Sequence, residues 1–514
     1  MENYRQYILI TSFLIVFVLF TCTNKKNVDS WLIDSQEDWL AFIEKQSDLE
    51  ITNGKVVPSS KKASFTSTMK QFTDKRSIKS ITFFQSPEWQ NWNEVKPIGP
   101  TNLGDAPVFL SLGPKNYWIF GRYTGGQKKK EYNAKPAELE GIDVPLLTTP
   151  FPNQFDAPGG LKPQLGGYHA WQSCDMVNWV HHGPVTEKFS CWVTTAEHID
   201  GKTYIYYDYP NDQDPHVYVD EDLTDGLPGK NMGMAFKDPS HGSDCAFFRD
   251  SDGSFHVIYE DWSPINAAKH AWDSPLAGHA VSPDGLGSFE IKAPAIDHRT
   301  TPTGNIKTYK HPYWAKHPDW DTNIGEYEEH LPIQDAYGDW CMIKVGGQYY
   351  LFGDYDHAEH SFGAGHPKAE AQANMSIARF TSNSLNEEFE LVGDYGKTGH
   401  PDPDIGFAEG QFYLITQSDK DFVSPGPWVE TVIIRAGVDS DGDSKIDKWT
   451  DWQEVSEQYM HTEGYAKIVE TIPAQMELSG LPEGYGFQFE FKIKDATANE
   501  SKPILDKVEL LFTK

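Results

Sequence analysis

An all-β chain folded as a five-bladed β-propeller is the architecture that three features of the sequence predict. Aromatic residues make up 13% of the 514 residues, beside 42 Gly and 33 Pro. That composition suits many short strands joined by tight turns, and it excludes a disordered chain and a helical bundle. A hairpin pattern recurs five times, each an apolar strand, a Gly or Asp turn, and a second strand rich in Tyr and Phe. Strand-like segments between these hairpins complete units of the kind that build propeller blades.

The chain begins with residues 8–20, ILITSFLIVFVLF, preceded by Arg5. This run is short for a bilayer span and fits the apolar core of a signal peptide. Cys22 follows directly, at the place where a bacterial lipoprotein is acylated. The expectation is a signal peptide over 1–22 and a body exported and held to a bacterial membrane, at the outer membrane or the periplasmic face, by lipid on Cys22, with plain secretion or an uncleaved anchor as the alternative. Residues 23–75 are polar and read as a tether with a short helix around Gln36–Lys45.

The propeller is expected over 76–455. Its five hairpins run from Asp105 to Phe120, Trp192 to Tyr207, Asp244 to Tyr259, Asp339 to Phe352 and Asp404 to Ile415. Segments such as His169–Trp179, Gly278–Asp284 and Met375–Ser382 read as outer strands. Beyond 456 the alternation persists, in Tyr485–Phe491 and Val508–Phe512, and predicts C-terminal strands packed on the propeller.

Acidic residues number 75 against 44 basic ones, a net charge of −31. Phosphate binding needs a basic surface, so nucleic acid is excluded as a partner. An anionic ligand would need a local cationic pocket against the global field. Export permits disulfides among Cys174, Cys191, Cys245 and Cys341, but no Cys-x-x-Cys spacing points to metal or redox chemistry, and buried free thiols are the other reading.

Inner strands of a propeller converge on one end of a central channel, so residues in phase in each repeat enter one pocket. Four repeats open on aspartate: Asp105, Asp244, Asp339 and Asp404; the second has Trp192 and Thr194 there, with Glu197 further on. Converging carboxylates suit general acid–base cleavage of a glycosidic bond, because crowding separates a protonated acid from an ionised base. The bland reading of each is a turn cap.

The densest polar stretch runs from Tyr207 to His216, through Asp238 to Asp244, and on to Glu260–Pro264. Arg122, Arg249 and Arg299, with His216 and His241, are candidate contacts for an anionic sugar, since guanidinium matches carboxylate and sulfate oxygens. The alternative is blade-to-blade ion pairing. Trp118, Trp171, Trp192 and Trp340 suit stacking on sugar faces or plain core packing. Asp439, Asp441, Asp443 and Asp447 alternate as in calcium loops, although Ser444 stands where an EF-hand has Gly and Thr450 where it has Glu. A structural calcium ion is the cofactor expected there; a solvated hairpin tip is the alternative.

Aspartate opening an inner strand (Asp105-Ala-Pro, Asp244-Cys-Ala), followed by Tyr349-Tyr-Leu-Phe352, resembles the five-bladed propeller glycosidases of glycoside hydrolase families 43 and 117, over roughly residues 100–455. The resemblance implies a base at Asp105 and a pKa-tuning role at Asp244. It leaves the acid open, because Asp339 rather than Glu opens the fourth repeat, and family 117 uses His. The Tyr207–Pro264 block is also similar to proteins of marine Bacteroidetes loci that degrade ulvan and other acidic algal polysaccharides. The implied function is attack on the chain end of an acidic, uronate- or sulfate-bearing oligosaccharide by a monomeric enzyme. Elimination at a terminal uronate, by a lyase or dehydratase with His169, His216, His241 or Tyr209 as base, is the second reading. A non-catalytic glycan-binding lipoprotein is the third.

Overall fold

The computed structural model describes residues within 28–513, leaving outside the description 90–98, 124–166, 210–213, 239–243, 262–273, 297–335, 357–374, 417–422, 426–428, 494–502 and some single positions and pairs. Cys22, Cys191, His241 and Arg299 lie outside the described residues, and of Asp105 the backbone alone is described. No helix among the described residues is long and apolar enough to cross a membrane. The chain divides into two compact units, one of residues 89–428 with 459–471, the other of the N-terminal 88 residues with 429–458 and 472–514.

The larger unit is a β-propeller. Its first blade comprises Leu103–Ser111, Tyr117–Tyr123, Tyr168–Ser173 and Val180–Pro184, hydrogen-bonded in that order from inside out. The second comprises Val193–Ile199, Lys202–Tyr209, Asp214–Asp220 and Lys230–Met234; the third, Ala246–Arg249, Phe255–Glu260, Ala277–Ser282 and Glu290–Ile291. The fourth runs Ala336–Val345, Gln348–Asp356, Met375–Ser382 and Glu390–Gly399. Where the sequence predicts five four-stranded blades, four are seen among the described residues. The fifth repeat gives a three-stranded sheet of Asp404–Ala408, Gln411–Ile415 and Val423–Pro425.

Blades stack face to face, so both faces of a middle strand lose water, and such strands read as continuous apolar runs rather than alternating ones. Tyr117–Tyr123 and Tyr168–Ser173 are buried at nearly every position. Five apolar clusters fill the wedges. Val108, Leu110 and Phe120 meet Val193 and Ile205 between the first two blades, and Tyr206 and Val217 meet Phe247 and Val257 between the next two. Ala246 and Phe248 meet Met342 and Leu351, Ile343 and Phe352 meet Ile405 and Phe407, and Phe109 and Ile119 meet Ala408 and Ile415, closing the ring. At that last seam a Cβ on Gly406 would lie 2.1 Å from the Phe109 ring, so only glycine permits the approach.

Residues 459–471 leave the repeats and return to the propeller. Ile468 and Val469 pair in parallel with Lys344 and Val345 on the inner edge of the fourth blade. The loop before them donates or accepts bonds to three other blades: His461 Nε2 lies 3.3 Å from the Ser111 carbonyl, Gly464 O accepts from Arg249 Nη1 at 3.0 Å, and Lys467 reaches Thr195.

The second unit corrects two boundary expectations. Residues 28–75 are strands rather than a tether, because Ser64–Ser67 alternates half-buried and buried and Phe65 stacks on Phe491 at 4.1 Å. Val432–Asp439, expected in the last blade, instead pairs along its length with Gly484–Ile493. The C-terminal strand Ile504–Thr513 pairs with the long Lys70–Ser86 strand and with Val28–Ile33. Trp39, Phe42, Phe83, Phe487, Phe489 and Phe512 make the core of this unit. The short helix forms at Gln36–Phe42, where Ser35 caps the N-terminus by accepting from Asp38 N at 3.1 Å. It ends at Ile43, whose extended backbone starts a strand.

Candidate active site

Each inner strand opens its sheet, so the five strand starts gather at one end of the ring and the hairpin turns at the other. At the strand starts the backbone departs from regular pairing. Register shifts fall between Gly104 and Val108, Val193 and Thr195, and Gly338 and Cys341. Ala106, Asp244, Asp339 and Asp402 adopt left-handed φ of 39°, 53°, 49° and 38°. Left-handed backbone costs an L-residue about 1–2 kcal/mol, least for Asp and Asn. Repetition of that strain at one place in successive blades marks a site where side chains are re-aimed.

The carboxylates fall into two tiers. Asp244, just before its inner strand, and Asp339, at the register shift of the fourth blade, are half-buried. Beside them Asp208, Asp238, Glu260 and Asp354 are buried. Asp208 Oδ2 accepts from Asp244 N at 3.3 Å, and Asp244 O accepts from Trp340 N at 3.1 Å, so backbone bonds stitch blades two, three and four together here. Burial pushes the Cys245 thiol well up, and the charges of Asp208, Asp238, Asp244 and Glu260 push it further, so that one residue senses four carboxylates. Asp339, Asp354 and Asp402 bring carboxylate oxygens within 4.8 Å of one another. At that spacing two unit charges repel by about 3 kcal/mol for an effective dielectric near 20. Such crowding separates a proton-holding group from ionised ones.

Asp244 and Asp339 lie at the same end of the ring, joined through the Trp340 N–Asp244 O bond, and Asp402 stands beside Asp339 where Asp404 was expected. Asp404 turns inward. It accepts from Phe109 N at 2.6 Å and Ile405 N at 2.8 Å, tying the last sheet to the first blade, and burial pushes it up to about 6 against the pull of Lys467. Arg122 and Trp192 lie at the strand-start end, the guanidinium 5.2 Å from the rings of both Trp192 and Tyr168. Arg249 does not: it is the last residue of its strand, at the turn end, where it stacks 4.7 Å from Tyr465. His216 lies at the strand-start end, half-buried, with Nδ1 2.9 Å from Asp214 O and its ring against Tyr207 and Tyr209. His169 is fully buried inside the first blade, 2.9 Å from His181 and stacked on Tyr123. Trp118, Trp171 and Trp340 are buried packing residues.

Lys467 is a residue that no sequence pattern singles out. Only 4% exposed, its ammonium donates to Thr195 Oγ1 and, at 2.9 Å, to Phe247 O, and it lies 3.7 Å from the buried carboxylate of Glu197. Burial raises the Glu197 carboxyl above its ordinary range, and Lys467 opposes that rise. A single cation thus sits among inner strands of several blades. The buried carboxylates Asp208, Asp354 and Glu260 did carry a signal: each lies in the last three residues of the second strand of its hairpin, next to an aromatic, in Tyr207-Asp-Tyr, Gly353-Asp-Tyr and Tyr259-Glu.

Outside the propeller, Asp439, Asp441 and Asp447 converge within 4.8 Å. Asp443 turns away, accepting from Lys445 N at 2.9 Å and pairing with its Nζ at 3.1 Å. Cys174, Cys245 and Cys341 are buried free thiols.

No protein-family pattern matches the chain, and no curated protein matches it by sequence. Among solved structures it is similar to an endo-1,4-β-xylanase from Bacteroides thetaiotaomicron, at 12% identity and TM-score 0.32 over 78% of this chain and 98% of that one. A family 43 arabinoxylan arabinofuranohydrolase from Bacillus subtilis matches at 14% identity and TM-score 0.35 over 80% and 96%. An exo-1,5-α-L-arabinanase from a bovine ruminal metagenomic library matches at 12% identity and TM-score 0.36 over 74% and 99%.

Proposed function

We propose that this protein hydrolyses glycosidic bonds, acting from the chain end of an acidic oligosaccharide at the strand-start end of its propeller. The observation that carries the reading is the pair of strained, half-buried aspartates, Asp244 and Asp339, set over buried carboxylates. In this reading Asp105 is the base, Asp244 sets the protonation of its neighbours, and the crowded Asp339–Asp354–Asp402 group supplies the proton. Arg122, held between two aromatic rings, faces an anionic sugar.

Elimination at a uronate is the second reading, favoured by His216 beside Tyr209 at that same end. Mass analysis of products from an acidic algal oligosaccharide panel separates the two. Cleavage with gain of water is the expected result. Cleavage without water, or loss of water without cleavage, would replace hydrolysis by elimination.

The proposal includes a structural calcium ion in the Asp439–Asp447 loop, supported by three converging carboxylates. Chelation is expected to lower the melting temperature, and Asp441→Ala to remove that sensitivity. A melting curve indifferent to chelator and to added calcium rules the ion out.

A further inference from the structure

At the turn end of the propeller, opposite the carboxylates, a cavity of about 440 Å³ opens between the first two blades. That volume lies within the roughly 300–1,000 Å³ of small-molecule sites. Leu112, Trp118 and Leu223 give it an apolar floor, and Asn116, His198 and Asp220 its polar groups. A second cavity, of about 470 Å³, lies on the other side of Asp220–Asp222, so these residues are the wall between two compartments.

The polar groups are already oriented. Asn116 Oδ1 accepts from Trp118 Nε1 and from Gln172 Nε2, both at 2.8 Å, while Gln172 Oε1 is 3.0 Å from His182 Nε2. This chain fixes the Asn116 amide with its N–H groups left over. His198 uses Nδ1 on Thr203, at 3.1 Å, which leaves Nε2. Asp220 is 5% exposed; one oxygen accepts from Asp222 N at 2.8 Å, and Oδ2 is buried with no hydrogen-bond partner. A buried carboxylate oxygen left without a partner is costly, and a ligand hydroxyl would recover that cost. Burial pushes Asp220 up to about 6, and the charges of Asp225, Asp222 and Glu221 act in the same direction.

We infer that this cavity is a second carbohydrate site, binding a neutral sugar unit by hydroxyl bonds to Asp220, Asn116 and His198 over an apolar floor. Three acidic residues on the wall disfavour an anion. A metal cage is disfavoured too: Asp222 Oδ1 is taken by Thr224 N and Oγ1, Glu221 pairs with Lys202 at 2.7 Å, and the three do not converge among the described residues as other acidic groups do. The inference rests on the glycan reading of the opposite end, and extends it: the chain would hold one part of a glycan while another is cut.

Calorimetric titration of the full chain carrying Asp244→Asn, which is expected to lower turnover, tests it with neutral pentoses, hexoses and their disaccharides, with glucuronate, and with calcium chloride. Saturable binding of a neutral sugar is expected, weakened at least about tenfold by Asp220→Asn, the loss of one charge-assisted hydrogen bond. Leu112→Phe, which narrows the cavity without touching Asp220, should weaken binding similarly if Asp220→Asn fails to fold. No neutral-sugar binding, binding indifferent to both substitutions, or a response to calcium alone would overturn the inference. A protein that binds neutral sugar here but cleaves nothing would fail the hydrolase reading and keep this one.

Discussion

Replacing Lys467 with Met lowers the unfolding free energy by about 3–5 kcal/mol at neutral pH, the usual loss when one partner of a buried ion pair is removed. Met keeps most of the volume, so packing contributes little. What is lost is the cation beside Glu197, which is 1% exposed and has Arg249 N as a donor at 3.2 Å. The deficit should depend on pH with a definite sign. Glu197 is already held above its ordinary value of 4.5 by burial. A carboxyl raised in the folded state contributes stability below its unfolded value and loses it as pH rises through the folded value. Without the ammonium the folded value rises further, so the deficit is small below about pH 4.5 and grows towards neutrality. Glu197→Gln combined with Lys467→Met should recover most of the loss. Urea unfolding across pH reads both effects; a deficit under 1 kcal/mol, or one that ignores pH, means that the pair does not hold the hub.

Asp244→Asn and Asp339→Asn each reduce turnover by about 10²–10⁴-fold, the range for loss of an acid–base group or of the charge that sets it. Asparagine tolerates left-handed backbone as aspartate does, so at φ of 53° and 49° neither substitution strains the backbone. The melting temperature should therefore move little. The discriminating arm is His216→Ala. If it abolishes activity while both aspartate variants keep it, elimination displaces hydrolysis as the chemistry at this end.

Strand-rich composition and the five-fold rhythm were legible because blade strands carry their own signature, apolar runs closed by tight turns. In-phase aspartates were legible for the same reason, and Asp244 and Asp339 share one end of the ring. What failed to show was direction and distance. Asp402 and Asp404 are two residues apart on the same strand entry, and only the backbone bonds from Phe109 and Ile405 decide that Asp404 turns inward. Arg249 was grouped with Arg122 by residue type, yet a four-residue strand separates it from the bulges. Lys467 was invisible, because its partners Thr195, Glu197 and Phe247 are more than two hundred residues earlier. The 28–75 stretch misled for a related reason: its polar side chains alternate with a few buried ones whose partners lie near the other end of the chain.

The return of residues 459–471 to the propeller sets an order of events during synthesis. The four blades and the sheet that opens at Asp404 are all made by residue 425, yet the ammonium that neutralises Glu197 emerges later, a gap of several seconds at about 5–20 residues per second. In that interval a nascent ring would hold a buried carboxylate without its cation. The other unit is in the same position, since Val28–Ile33 waits for Ile504–Thr513. The propeller's own last segment ends at residue 471, so the ring can close before Ile504–Thr513 completes the other unit. A ribosome stalled between Asp404 and Lys467 would leave both open.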